Sequence, residues 1–220
     1  DSPLDDGRFV GHKPASLTMA EAAALPLTAI TAWEMLFDRL DVRRAVPGAA
    51  NAVLVVGGAG GVGSIAIQIL RAMTGLTVIA TASRPETQAW VRELGAHHVV
   101  DHSNPLDAEI AALGIGAPAF VFSTNQTGSH AEAIAKLIAP QGRFGMIDRS
   151  GDIPLAAFMP KSVSIHWEYM FTRSMFQTAD MAAQRALLDE VSGLVDSGRI
   201  RTTMTESLGP ITAANLKVAH

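Results

Sequence analysis

Residues 55–63 read Val-Val-Gly-Gly-Ala-Gly-Gly-Val-Gly, and no other stretch constrains the fold so tightly. Gly58, Gly60 and Gly63 stand at G-x-G-x-x-G spacing, after a β-branched run and before a helical pattern of Ile65, Ile69 and Leu70. A pyrophosphate can approach bare backbone amides at such a helix N-terminus, where side chains on the turn would hold it off. Taken alone, the motif also fits a tight structural turn that packs a helix closely on a strand. Its context of strand, turn and helix points to dinucleotide binding through Gly58, Gly60, Gly61, Val62 and Gly63.

Two rival readings fail on the residues. A P-loop needs Lys after the last glycine, and Ser64 stands there. A short-chain dehydrogenase needs Tyr followed by Lys four residues on, but Tyr169 is followed at that distance by Arg173. An acid about 20 residues beyond the glycines would bind a ribose 2′-hydroxyl. Ser83 and Arg84 occupy that place, with no acid before Glu86. A hydroxyl beside a planar guanidinium suits a 2′-phosphate, which favours NADP(H) over NAD(H); the competing reading is a solvated surface arginine before Pro85.

The rest of the chain supports an α/β architecture. Apolar runs at 52–56, 77–80, 98–101, 119–122 and 143–147 are short enough for strands covered on both faces, and helical patterns separate them. Strands alternating with helices require right-handed parallel crossovers, so the expected fold is a doubly wound, mostly parallel Rossmann sheet with helices on both faces. Thr18 with Glu21, and Ser129 with Glu132, have capping-box spacing. Pro26 divides the early helical pattern into 19–25 and 27–40, Asn104-Pro105 opens a helix closed by Gly114, and a last long helix is expected over 178–195. The organisation is read as a lead-in and helical connector over 1–50, the dinucleotide domain over 51–198, and a strand with a helical tail over 199–220.

At 162–170, Val163, Ile165, Trp167 and Tyr169 alternate with Ser164, His166 and Glu168, as in a strand with unlike faces. This strand is either a sheet edge that pairs with a second copy, giving a homodimer, or one packed against its own core. The uncharged stretch 45–70 is long enough to span a bilayer, but its glycines, Pro47, Asn51, Ser64 and Gln68 break it, so a buried βα unit is expected and no membrane partner. The first seven residues carry no signal-peptide pattern. A net charge of −4 without a basic run argues against nucleic acid, and the absence of Cys removes thiolate metal sites and disulfides from these residues. His98 and His102 are four apart, but in a strand that spacing does not bring ligands together, so no metal site is expected.

Four ordered motifs resemble the medium-chain dehydrogenase/reductase superfamily, in its quinone-oxidoreductase-like and zinc-type alcohol-dehydrogenase-like branch. They are the entry segment at 22–33, the glycine turn, the third-strand segment Leu-Gly-Ala-His-His-Val-Val-Asp-His at 94–102, and His-Trp-Glu-Tyr-Met-Phe-Thr-Arg-Ser at 166–174. The resemblance implies further coenzyme contacts. Thr31 would lie near the phosphates or nicotinamide and His102 beside the adenosine; Ser123, Thr124, Ile147 and Asp148 would line the ribose and nicotinamide, and Phe171, Thr172 and Arg173 would frame the carboxamide. Each has a structural alternative, such as a helical hydroxyl bonded to its own backbone for Thr31 or a core position for Phe171. Members of the superfamily begin with a GroES-like domain that supplies most of the substrate pocket; this chain is expected to lack it and to stop before the last returning strand.

The resulting expectation is a cytoplasmic NADPH-dependent oxidoreductase, represented mainly by its cofactor domain, that passes hydride to a small quinone, enone or carbonyl substrate. The alternatives are a non-catalytic NADP(H)-binding module and a zinc-dependent alcohol dehydrogenase whose metal lies outside these residues. No catalytic donor is assigned: His166, Tyr169 and Arg173 are polar enough, yet on or just beyond the 162–170 strand they are equally candidates for a dimer contact.

Overall fold

The computed structural model describes residues 6–219. Six strands form one parallel sheet: β1 (Ala50–Val56), β2 (Thr77–Thr81), β3 (His98–Val100), β4 (Pro118–Ser123), β5 (Arg143–Met146) and β6 (Ser164–Trp167), in the order β3-β2-β1-β4-β5-β6. The order reverses between β1 and β4, which leaves a crevice at the carboxyl ends of those strands. The expected Rossmann architecture is therefore the observed one.

Strand β1 runs through the centre of the sheet, where Val53 pairs with Val78 on one side and Phe120 on the other. Its alternate residues enter different layers. Val53 and Val55 pack with Ile65, Ile69 and Leu70 of α3 (Gly61–Met73), while Leu54 and Val56 pack with Ile110 of α5 (Leu106–Ala112) and Ile134 of α6 (Thr127–Leu137). Each fully buried aliphatic side chain of this kind contributes about 1.5–3 kcal/mol, so the two layers fix the register of the glycine turn. Helix α4 (Pro85–Glu93) connects β2 to β3.

Thr18 and Glu21 form the expected capping box at α1 (Met19–Ala23). Pro26 opens α2 (Pro26–Trp33), as the missing amide of a first-turn proline allows. The helix continues to Arg39 in wider π-helical turns, with the Leu40 amide donating to the Met35 carbonyl. That widening was not expected. It turns Glu34, Met35 and Leu36 all inward.

Other expectations are corrected. Ser129 and Glu132 do not cap α6, which starts three residues earlier than that cap would set because Asp148, arriving from the end of β5, accepts from the Thr127 amide at 3.2 Å. The strand read over 162–170 spans only Ser164–Trp167, because the chain turns at Glu168 and buries that carboxylate while Trp167 and Tyr169 face outward. The turn leads into α8 (Thr172–Phe176). The last long helix, α9, is Ala183–Asp196 rather than 178–195, since the Thr178 hydroxyl donates to Asp180 in a turn ahead of it. No strand forms among the described residues beyond Gly198; an irregular segment there, whose Arg201 and Thr202 bond to Gln68, Glu93 and Glu21 on helices rather than to a strand, leads to α10 (Ala213–Ala219). A 3₁₀ turn, Met159–Lys161, and the short α7 (Leu155–Phe158) bring the chain from β5 to β6. No helix among the described residues is long and apolar enough to cross a membrane.

Candidate functional site

Gly57 leaves β1 with φ of +77°, a left-handed conformation, and its amide donates to the Thr81 hydroxyl at 2.9 Å. The Gly58 amide donates to the Thr81 carbonyl and the Gly60 amide to the Gly57 carbonyl, closing the turn. Gly60 then begins α3 without a side-chain cap, and the first helical bond of this turn runs from the Ser64 amide to the Gly60 carbonyl. The amides of Gly61, Val62 and Gly63 therefore stand at the helix start with the positive end of its dipole behind them. A Cβ on Gly63 would lie 2.3 Å from the Gly57 carbonyl oxygen, so only glycine allows the helix to approach the strand this closely.

Beside the turn lies a cavity of about 110 Å³ lined by Val56, Gly57, Thr81, His102, Asn125, Gln126 and His130. His102 and His130 meet edge to face, with ring centroids 6.1 Å apart. The Nδ1 of His102 is buried without a protein partner among the described residues. Burial, with His102 adding to it, pushes the His130 imidazole below its ordinary pKa. The orphaned ring nitrogen lies in this cavity, which Gly57 joins to the turn and its uncapped helix start, and that donor set is of the kind a dinucleotide takes. A larger cavity of about 300 Å³ between residues 9–14 and α9 is mainly apolar, and its Lys13 and His12 are turned to the Pro14 and Leu17 carbonyls and to Asp189.

The remaining candidates divide. Thr124 donates its hydroxyl to the Val56 carbonyl at 2.9 Å and so braces the crevice wall. Ser123 and Thr127 join hydroxyls at 2.8 Å in the interior. Ser83 is half-buried at the end of β2, and exposed Arg84 pairs with Glu86 at 3.1 Å. Thr31 is buried and donates to the Leu27 carbonyl at 2.8 Å, the local bond that was the structural alternative for it. Ile147 lies just past β5, half-buried.

Asp148 is engaged by Thr127 and Ser150. Burial alone would raise its carboxyl, but the bonds from Ser150 and Thr127 outweigh burial and hold it below the usual aspartate value. Phe171 is exposed against Tyr169, with ring centroids 5.4 Å apart, and Thr172 begins α8. Arg173 is turned inward, where its guanidinium meets Glu34, Asp38 and Asp180, the last two at 3.0 Å. Thus His102 lines the cavity and Thr124 braces its Val56–Gly57 wall, the rest of the glycine turn follows from Gly57, and Asp148 and Arg173 hold structural bonds. The sequence reading missed Thr81, Asn125, Gln126 and His130. Thr81 and Asn125 could have been found from their places at the ends of β2 and β4, but His130 only from the turn of α6 that carries it inward.

Among the described residues no three His, Asp or Glu side chains are placed to hold a metal ion, and the sequence has no Cys. His98 lies within β3 and His102 beyond its end. These side chains do not fit a zinc ion.

The profile of the zinc-binding dehydrogenase family matches residues 61–185. A zinc-type alcohol dehydrogenase-like protein of Staphylococcus aureus (strain MSSA476) is 35% identical over 214 residues, covering 96% of this chain and 64% of the relative. A crystal structure of a protein from Rhizobium etli CFN 42, assigned provisionally as a zinc-dependent alcohol dehydrogenase, is 67% identical with a TM-score of 0.96, covering 98% of this chain and 63% of that one. The CurK enoyl reductase is 25% identical with a TM-score of 0.74, over 90% of this chain and 57% of that one. The chain thus spans somewhat under two thirds of the length of these relatives. With the parallel sheet, the glycine turn and the profile match in agreement, the chain belongs to the zinc-binding dehydrogenases of the medium-chain dehydrogenase/reductase superfamily and comprises their cofactor-binding domain.

Proposed function

We propose that this chain is the coenzyme-binding part of a cytoplasmic, NADPH-dependent oxidoreductase that reduces a quinone, enone or carbonyl compound. The observation that carries the reading is the uncapped glycine turn at the point where the strand order reverses. A reduced nicotinamide dinucleotide, when bound, supplies the hydride. The protein's own task is to hold and orient the coenzyme. The amides of Gly61, Val62 and Gly63 would take the pyrophosphate, with Gly58 and Gly60 leaving it room. Thr124 holds the crevice wall in place, and His102 with His130 would flank the adenosine.

Thr31, Ser123, Ile147 and Asp148 would border the ribose and nicotinamide, and Phe171, Thr172 and Arg173 the carboxamide end. For Asp148 and Arg173 this means shaping the wall, since their charged groups already have partners. Arg84 supports the preference for NADPH, because its pairing with Glu86 is exposed and such pairs are weak enough to yield to a phosphate. The exposed rings of Trp167 and Tyr169 at the free edge of β6 support a homodimer through that strand.

Calorimetric titration of the chain and of Arg84→Ala with NADPH and NADH tests this reading. NADPH should bind about ten-fold more tightly than NADH, as loss of a charge-assisted contact implies, and the variant should lose that preference. Equal affinities in the unaltered chain would remove the Ser83–Arg84 argument. No binding of either would remove the coenzyme reading.

A further inference from the structure

Glu34 in the π-helical turns and Glu168 just past β6 are among the most deeply buried charged residues of the chain, and the coenzyme crevice uses neither. They come from segments far apart in sequence, and their carboxyls lie within hydrogen-bond reach of each other. Glu34 Oε1 accepts from Gln184 Nε2 at 2.9 Å and is paired with Arg173. Glu168 Oε2 lies 2.8 Å from Arg39 Nε. Glu34 Oε2 and both carboxyl oxygens of Glu168 are buried without a well-aligned hydrogen bond among the described residues, the Arg39 contact being an ion pair by distance alone. Buried acceptors without donors are costly, and two neighbouring buried carboxyls relieve that cost by keeping one proton between them.

The surroundings show what such a proton would hold. Gln184 also donates to the Met170 carbonyl at 2.7 Å, and Arg173 ties α8 to Asp38 and Asp180. The network therefore clamps residues 168–173 to the helix that carries Thr31 one turn before Glu34. A cavity of about 270 Å³, lined by Ile147, Arg149, Trp167, Glu168 and Tyr169, opens beside it at the carboxyl ends of β5 and β6. We propose that protonated Glu168, donating to Glu34, is a latch that holds the 168–173 segment in place and thereby positions the nicotinamide end of the coenzyme. This rests on the coenzyme reading above. Both glutamates act as positioning residues, through the segment they hold.

The charged and titratable groups around the pair are Asp38 and Arg39 from the π-helical turns, Arg173 and Asp180 from α8 and the turn after it, Arg149 and Tyr169 beside the cavity, and His166 on β6. Burial, with Glu34 adding to it and Arg39 opposing it, pushes the Glu168 carboxyl up to about 8. In an opened segment the carboxyl would return to its ordinary value of 4.5. The closed form thus binds the extra proton, and its advantage is lost as pH rises toward about 8 and is constant above that.

The test compares NADPH with 2′-phospho-ADP-ribose, which lacks only the nicotinamide, by titration from about pH 6.5 to about pH 9.5, a range that brackets the Glu168 transition. The ratio of the two affinities cancels everything common to the adenosine half. It should fall by about five-fold up to pH 8 and then level off, within the usual span of coupling between sites. Glu168→Gln, whose amide donates without titrating, should hold the ratio at its low-pH value throughout. A flat ratio in the unaltered chain, or an unchanged slope in Glu168→Gln, would overturn the latch while both ligands still bind. Failure of both ligands to bind would remove the coenzyme reading and the latch with it. Should Glu168→Gln not fold, the profile of the unaltered chain decides alone.

Discussion

Two glycines of the turn differ in what a methyl group would meet. At Gly63 a Cβ would press on the Gly57 carbonyl oxygen at 2.3 Å and the Gly58 Cα at 2.7 Å, both backbone atoms that cannot swing aside. At Gly60 the nearest atom would be 3.4 Å away, and φ is −72°. Gly63→Ala should therefore cost about 2 kcal/mol or more, as overpacking does, and abolish dinucleotide binding. Gly60→Ala should cost about 1 kcal/mol or less, the difference between these residues at a helix start. Urea unfolding midpoints of the two variants check this, and equal losses would show that close helix–strand approach is not what Gly63 provides. At this scale the sequence was informative: the G-x-G-x-x-G spacing located the residue whose side chain has no room. It was silent on Glu34, because nothing in Trp-Glu-Met-Leu distinguishes a buried carboxylate from one on a solvated helix face.

The start of α6 shows how an element can borrow its cap. Gln126 precedes it in the left-handed region and offers no side-chain bond, so the first turn depends on Asp148 from the loop after β5. Asp148→Ala should lower stability by about 1–2 kcal/mol at neutral pH, the range for a lost helix cap. The sign with pH follows from the lowered carboxyl. Its contribution is present above the ordinary aspartate value of 3.8 and is lost as pH falls through the still lower folded-state value. The stability gap between the chain and its variant should close in acid below about pH 3.8, and a gap that persists there would assign the effect to packing. The Ser129 and Glu132 spacing misled on this helix because a capping box is local chemistry, and a carboxylate arriving from another strand replaced it.

Across the whole molecule, the sheet ends at β3 on one side and β6 on the other, and Trp167, Tyr169 and Phe171 beside β6 are 54%, 55% and 43% exposed. An unpaired parallel-sheet edge with exposed rings is a surface on which a second copy can add its own strand. Light scattering should find a dimer, and Trp167→Lys should shift it to monomer by placing a charge in the contact; a monomeric unaltered chain would remove the pairing. The sequence alone determined the βα alternation, and so the parallel sheet and the glycine turn at its centre, because hydrophobic period and glycine spacing are carried by neighbouring residues. Tertiary structure alone decided that Asp148 caps a helix, that Arg173 and Glu168 face inward, and that His130 meets His102. Those outcomes depend on which groups meet across the fold, where burial without a partner is costly, and the partners lie tens to more than a hundred residues away in the chain.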